Sequence, residues 1–504
     1  MPFLTKDHAI RILCGLGIAV LVLFNIATFN SYQAKQDSSA SLKQGGVKVA
    51  LIYASPTFHD EVVSSVACTI RDEGYFVIAY VGSGLHWGSL TLPFSDKRQR
   101  ASESFYGRCV DKWVSITEPI AEHQLLDDAD LLVFVTYPML KHNFVHDGEA
   151  MQLLRHVRAQ SASTSVVLVT HRSNEALHET LPKIEEVIPR DQLTFLFLGE
   201  HTKKSTADIM AKAGHITAHV GAGSSKPPDR AYRLAHFYPI MPMEYIGVTR
   251  SQAEANAFNA WNNFWYPQLP LLSSDGYKNQ AFAIQGNFGG KHAHRKDVKG
   301  TVECLQRVEA SYQEDPEVAA APLEPGASVD KSKTPLRVSL ELIGHLNGEL
   351  QLPTLRYGSV RFLSDLAPVD YYNAIARSQF MIAAVGEDYM TSRATSSVPA
   401  ALITNLPLVT SQKFLDIYPC LRDARVHKLI ARGTECESIG AAARLSPEEF
   451  MEAKNEVSVC AKMMYEDGRA VFRHLGQEAR DRRKAASKAS RSAVPHSVSA
   501  NVRT

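Results

Sequence analysis

The sequence predicts an α/β protein, with two Rossmann-like, doubly wound domains behind an N-terminal transmembrane helix. Three observations lead there. Strand-length apolar runs alternate with helix-length segments, the pattern of a parallel sheet covered on both faces. These runs form two series, separated by a stretch crowded with proline and aromatic residues. A much longer apolar run stands apart from both, at the N-terminus.

A length of 504 residues suits two or three domains. With 45% hydrophobic and 21% charged residues the chain is globular in composition, not disordered. Lys and Arg total 54 against 53 for Asp and Glu, so no general polyanion partner is implied, and the basic excess is confined to the extreme C-terminus. Nucleic acid is therefore not an expected partner.

The run Ala9 to Phe29 carries one charge, Arg11, and residues 12–29 include one strongly polar side chain, Asn25. Some 18 to 20 residues at about 1.5 Å each cover a hydrocarbon core of roughly 30 Å. A cleaved signal peptide is the rival reading, but its apolar region is usually shorter and the exit here is a poor cleavage site. Lys6 and Arg11 precede the run, so the charge balance favours a cytoplasmic N-terminus. We expect residues 1–29 to be a cytoplasmic tail and signal anchor and 30–46 a polar stem. The body is then lumenal, in a single-pass type II protein of the Golgi or ER.

The first domain is expected at 47–240. Val47 to Ser55 is a buried parallel-type strand. Thr57 and Asp60 have capping-box spacing, and Val62, Val63, Val66 and Ile70 share one helical face before Gly74 stops the helix. Tyr75 to Gly84 is the next strand. Because no G-x-G-x-x-G follows the first strand, dinucleotide binding is disfavoured. Leu131 to Tyr137, Ser165 to His171 and Leu193 to Gly199 continue the series, and Asp127, Asp128 and Asp130 read as a solvated helix end. Residues 241–280, with their prolines and aromatics, are an interdomain connector.

The second domain is expected at 281–475. Ala281 to Gly286 is a strand, followed by Asn287, Gly289, Gly290, Lys291, His292, His294, Arg295 and Lys296. A glycine turn with cations can hold a phosphate, though such a loop is more often merely solvated. A helix at Val298 to Ala310 and a low-complexity insert at Glu314 to Thr334 come next. Leu336 to Gly344 and Val360 to Leu366 are strands, and Pro368 opens a helix. The decisive unit is Ser378 to Ser411: strand Phe380 to Val385, a polar loop Gly386 to Ser397, helix Val398 to Thr404 stopped at Asn405, and strand Pro407 to Thr410. Its loop leaves the C-terminal end of a strand, the edge where open α/β sheets bind ligands. Ser396 or Ser397 can cap the helix, whose free N–H groups attract phosphate. Beyond it, QKFLDIY is a helix ending at Pro419, Val426 to Ala431 is a final strand, and Ser446 to Leu475 is a long helix. Residues 476–504 form a basic disordered tail.

Seven cysteines show no metal-ligand spacing. Cys420 and Cys436 are near enough in sequence to pair, and buried free thiols are an equal alternative.

In architecture the chain resembles the GT-B glycosyltransferases. The likeness is sharpest from Asp370 to Pro419, where DYYNAIARSQFMIAAVGEDYMTSRATSSVPAALITNLPLVTS is similar to the donor segment of fungal-type, membrane-anchored glycosyltransferase family 1-like proteins, with a weaker echo of exostosins. The resemblance implies a nucleotide-sugar donor held by the second domain and a glycan, protein or lipid acceptor held by the first. It implies no metal and no cofactor beyond the donor substrate. Many retaining GT-B enzymes carry a glutamate in the helix before the last strand, whereas Ala400 to Thr404 contain none, and Glu387 is the unit's only glutamate. Donor-binding candidates are thus Lys291, Arg295, Glu387, Arg393, Ser396, Ser397 and the backbone at Val398. His59 is the candidate base, with Asp60 to orient it, although His59 also fits a first helical turn with no catalytic task. His292 and His294 are weaker candidates. The alternative functions are a GT-B-like protein that binds glycan or partner without catalysis, and a sugar-nucleotide epimerase of the same build, which the anchor disfavours.

Overall fold

A computed structural model describes residues 46–53, 60–81, 109–115, 129–135, 149–171, 177–213, 232–242, 245, 278–289, 296–312, 336–364, 366 and 368–492. Within the compact unit Val47–Thr504 the described strands form two sheets, both wholly parallel. The first has seven strands in the order β3-β2-β1-β4-β5-β6-β7. They are β1 (Lys48–Tyr53), β2 (Phe76–Val81), β3 (Lys112–Ser115), β4 (Leu131–Val135), β5 (Ser165–Thr170), β6 (Leu193–Phe197) and β7 (Arg233–His236). Strands β4, β5 and β6 are buried at every position. That is why they read as unbroken apolar runs, since a parallel strand covered on both faces has no solvent side to mark with polar residues. Helices α1 (Asp60–Asp72), α2 (Glu149–Gln160), α3 (Leu177–Glu185) and α4 (Glu200–Lys212) cover it. On α1, Val62, Val63, Val66 and Ile70 are buried, and Gly74 takes a φ of 75° where the helix ends, as expected.

The second sheet runs β10-β9-β8-β11-β12, built from β8 (Lys278–Phe288), β9 (Leu336–Leu346), β10 (Ser359–Ser364), β11 (Phe380–Ile382) and β12 (Leu408–Val409). Helices α5 (Val298–Ser311), α6 (Pro368–Ala376), α7 (Asp388–Thr391) and α8 (Ser397–Thr404) lie between its strands in sequence. Asn405 adopts φ 57°, so the expected helix stop is real.

The C-terminal region departs from expectation. Residues expected as a last strand form α11 (Arg425–Ile430), preceded by α9 (Gln412–Leu415) and α10 (Pro419–Arg422). Pro419 therefore opens a helix and does not close one, consistent with its fixed φ and missing N–H. The first-turn N–H groups of Val426 and His427 donate to the Glu456 carboxylate, a cap supplied from far along the chain. After α12 (Glu435–Ala443), α13 runs from Pro447 to Ser492. The tail expected to be disordered from Gly476 is thus helical to Ser492, because it has a surface to pack on. Leu475 and Ala479 are buried in the first sheet's core, Gly476 lies against Tyr75, and Arg483 pairs with Asp130. Asp130 is accordingly not solvated: it is buried and also accepts the Lys48 N–H.

Three disulfides form: Cys68–Cys109, Cys304–Cys436 and Cys420–Cys460. Cys420 and Cys436 do not pair, because Cys420 faces α13 and Cys436 faces α5. The expected transmembrane run and stem lie outside the described residues, and among those described no helix is long and apolar enough to cross a membrane.

Candidate functional site

Strand β11 delivers the chain to the site. Its last peptide leads into Ala384, a non-glycine residue at φ 47°, in a region that L-residues occupy only when their surroundings hold them there. The loop returns through α7 to α8. Ser396 takes the N-cap position but makes no capping bond; the Ser397 N–H donates instead to the Thr395 hydroxyl at 3.1 Å. This corrects the expectation that Ser396 or Ser397 caps the helix. Their hydroxyls are turned to other partners. The amide of Gln285, near the end of β8, donates to Ser396 Oγ at 2.6 Å, and its oxygen accepts the Tyr371 hydroxyl at 2.6 Å. Tyr371 is half-buried, and loss of solvent around its hydroxyl, with the Glu61 charge of α1, raises its pKa.

Lys296 reaches the same point from the start of α5. Its Nζ donates to the Ala383 carbonyl at 3.1 Å and to Ser397 Oγ at 3.2 Å. Room for its stem comes from Gly286, at φ 143°, where a Cβ would come within 2.6 Å of Lys296 Cε. Opposite, Glu435 in the first turn of α12 accepts the Ala384 N–H at 2.9 Å and lies 3.4 Å from the Thr301 hydroxyl. Burial pulls the Lys296 ammonium down to about 8, with the Glu435 charge resisting. Burial likewise pushes the Glu435 carboxyl up to about 7, against the Ala384 N–H and Lys296. A half-buried cation and two hydroxyls therefore stand at the first turn of α8, at the C-terminal ends of β8 and β11. Such an arrangement attracts an anion.

The loop before α8 also joins the two sheets. The Ala394 N–H donates to the His171 carbonyl at the end of β5, at 2.8 Å. His201 of α4 donates Nε2–H to the Arg393 carbonyl at 3.0 Å, the tautomer a carbonyl partner requires. Burial lowers the His201 pKa, which keeps the ring neutral. The C-terminal edges of the two sheets thus meet across this loop.

Of the sequence-derived candidates, Ser396, Ser397 and Val398 come together here, with Val398 fully buried. Arg393 pairs with Asp388 at 2.9 Å and lies over the Tyr389 ring. Glu387 is exposed and pairs with Lys413. Asp60 is the first residue of α1, while His59, Lys291, His292, His294 and Arg295 lie outside the described residues. Sequence reasoning named Lys296 only as one cation of the run after β8, did not choose it as a donor-site candidate, and passed over Glu435 and Gln285. The signal for Lys296 was its place in that glycine-and-cation run, directly before the Asp297 cap of α5; nothing local linked Glu435 to it. Among the described residues, no group of three or more His, Cys, Asp or Glu side chains gathers as a metal site would require.

No protein-family model matches the chain, and no curated protein does. Among solved structures, the N-terminal domain of Candida albicans trehalose-6-phosphate phosphatase is 10% identical with a TM-score of 0.46, the match covering 87% of this chain and 98% of that one. Trehalose-6-phosphate synthase OtsA is 12% identical with a TM-score of 0.43, covering 86% and 97%. A mutant O-GlcNAc transferase of Thermobaculum terrenum is 13% identical with a TM-score of 0.40, covering 88% and 69%. Likenesses this distant carry no argument about activity.

Proposed function

We propose that the protein is a glycosyltransferase of GT-B type, moving a sugar from a nucleotide-sugar donor to a glycan, protein or lipid acceptor. The observation that carries this is the half-buried Lys296 ammonium at the first turn of α8, on the edge where two parallel sheets face each other. Departure of a nucleoside diphosphate builds negative charge, and a preorganised cation beside a helix N-terminus stabilises it without rearrangement. The Ser397 hydroxyl and the Val398 N–H are the direct donors in this reading, since the Ser397 N–H is taken by Thr395, Pro399 has none and the Ala400 N–H is bonded to Ser396, and Lys296 charges the site from behind them. Arg393, Glu387, Lys291 and Arg295 are the further proposed donor-binding residues, and His59 with Asp60 the proposed base and its orienter.

The same proposal places the body in a secretory lumen behind an anchor at residues 12–29. Three disulfides support an oxidising compartment. A second reading, a binding protein without catalysis, is favoured by α8 itself, whose eight buried residues include no carboxylate.

The deciding experiment is hydrolysis and binding of a nucleotide-sugar panel by the full chain in detergent. Binding with hydrolysis supports the enzyme, and binding without hydrolysis for any donor or added acceptor supports the second reading. Failure of every nucleotide sugar to bind overturns the enzyme and leaves only the second reading, a protein that binds glycan or partner. Protease protection of the body in intact microsomes reads the topology.

A further inference from the structure

Lys296 and Glu435 do not meet head to head. Lys296 donates to the carbonyl of Ala383, and Glu435 accepts the N–H of Ala384. These two groups belong to one peptide bond. A single peptide plane at the end of β11 is therefore held at its oxygen by a half-buried cation and at its nitrogen by a half-buried anion. The residue that follows is Ala384, whose φ of 47° is uncommon for alanine and sends the chain into the loop that ends at α8. Ser397, at the first turn of that helix, shares the Lys296 ammonium. The strand end, the turn and the helix start are thus tied to one pair of charges.

We infer that Glu435 is a positioning residue of the anion site. With Lys296 it clamps the Ala383–Ala384 peptide, fixes the left-handed turn and so sets where the N-terminus of α8 points. This role rests on the proposed nucleotide-sugar site only for its consequence on binding, since the clamp is made by groups of the chain itself. Isolated buried charges are costly, and a hydrogen-bonded peptide between opposite charges offsets part of that cost. Asp297, the N-cap of α5, adds negative charge that acts on Glu435. Thr301 and Ser397 supply the neutral contacts.

Glu435→Gln tests the inference, because it keeps an acceptor for the Ala384 N–H and removes only the charge. In the full chain without ligand, amide exchange over residues 384–397 should quicken by about tenfold, while α1 and β4 to β6 keep their protection. Affinity for a nucleoside diphosphate panel (UDP, GDP, ADP and CDP) should fall by about tenfold at pH 7.5, and its pH profile should lose the limb below neutrality. Should Glu435→Gln fail to fold, Thr301→Val loosens the carboxylate without removing it, and a smaller rise in exchange over the same residues is expected. Unchanged exchange over 384–397 in a folded variant would overturn the clamp. Faster exchange with unchanged nucleotide affinity would overturn its link to the anion site. If no nucleoside diphosphate binds the unsubstituted protein, the donor reading falls, and the exchange measurement alone decides the clamp.

Discussion

Two lysine–glutamate pairs flank the loop between β11 and α8, and their surroundings are opposite. Glu387 and Lys413 meet directly with side chains 69% and 64% exposed, so water and salt screen their attraction. Lys296 and Glu435 are half-buried and meet through a peptide group. The first pair has ideal partners and little leverage. The second has no direct ion pair, yet it holds the strand end, a left-handed alanine and the first turn of α8. Proximity of opposite charges is thus a poor guide to consequence; what matters is what else each charge is bonded to.

The largest break in this contrast is Lys296→Met. It leaves the Ala383 carbonyl only the longer contact from the Ser397 hydroxyl and the half-buried Glu435 without a counter-charge, a loss on the order of 1–3 kcal/mol. The stability loss should be greatest above pH 7 and shrink below it, as Glu435 takes up a proton. Affinity for the best nucleotide of the panel should drop by about 100-fold. Thermal unfolding and nucleotide titration at two pH values read both effects. A loss of stability that does not change with pH would contradict the coupling to Glu435.

A milder effect is set by pH alone. Glu435 sits near 7 in the fold against an ordinary 4.5, so between these values the folded state holds more protons than the unfolded one. Its contribution to stability therefore falls as pH rises through that window. Lys296 sits near 8 against 10.5, so between 8 and 10.5 the unfolded state holds more protons and the contribution rises with pH. The pair thus costs most near pH 7–8, where both charges are present and the clamp is set. The difference in stability between the unsubstituted protein and the Glu435→Gln, Lys296→Met double variant should show this trough. A difference that is flat from pH 5 to 10 would sink the assignment of both shifts.

Much of this fold is legible in the sequence, because a parallel strand covered on both faces must be apolar throughout. The runs at Leu131, Ser165 and Leu193 show it plainly, as does the stop at Asn405. What stays hidden depends on partners distant in sequence. Val426 to Ala431 has strand length and strand composition, but Glu456 caps its first turn as a helix. The chain beyond Gly476 looks solvated by composition, yet Arg483 finds Asp130 and Arg482 finds Ser165 on the first sheet. The candidate site divides in the same way. Ser396, Ser397 and Val398 were visible as a helix start, while Lys296 looked like one cation in a solvated run. Glu435 carries no local mark, since the capping box it stands inside is formed by its neighbours Thr434 and Glu437.

The smallest expected effect sharpens the comparison from the exposed side. Glu387→Ala removes one partner of a screened pair, and stability should move by no more than about 0.5 kcal/mol. Because nothing structural leans on this carboxylate, any change in nucleotide affinity reads a contact with ligand and not a disturbed fold. As a proposed donor-site residue, its loss should weaken nucleotide-sugar binding by about three- to tenfold. Lys413→Ala removes the same ion pair from the other side and leaves the carboxylate in place, so it should leave affinity within about twofold. Equal losses in the two variants would mean that the pair acts only by shaping the loop. No loss in either would take Glu387 out of the site and leave the half-buried pair as the only lysine–glutamate couple that matters to it.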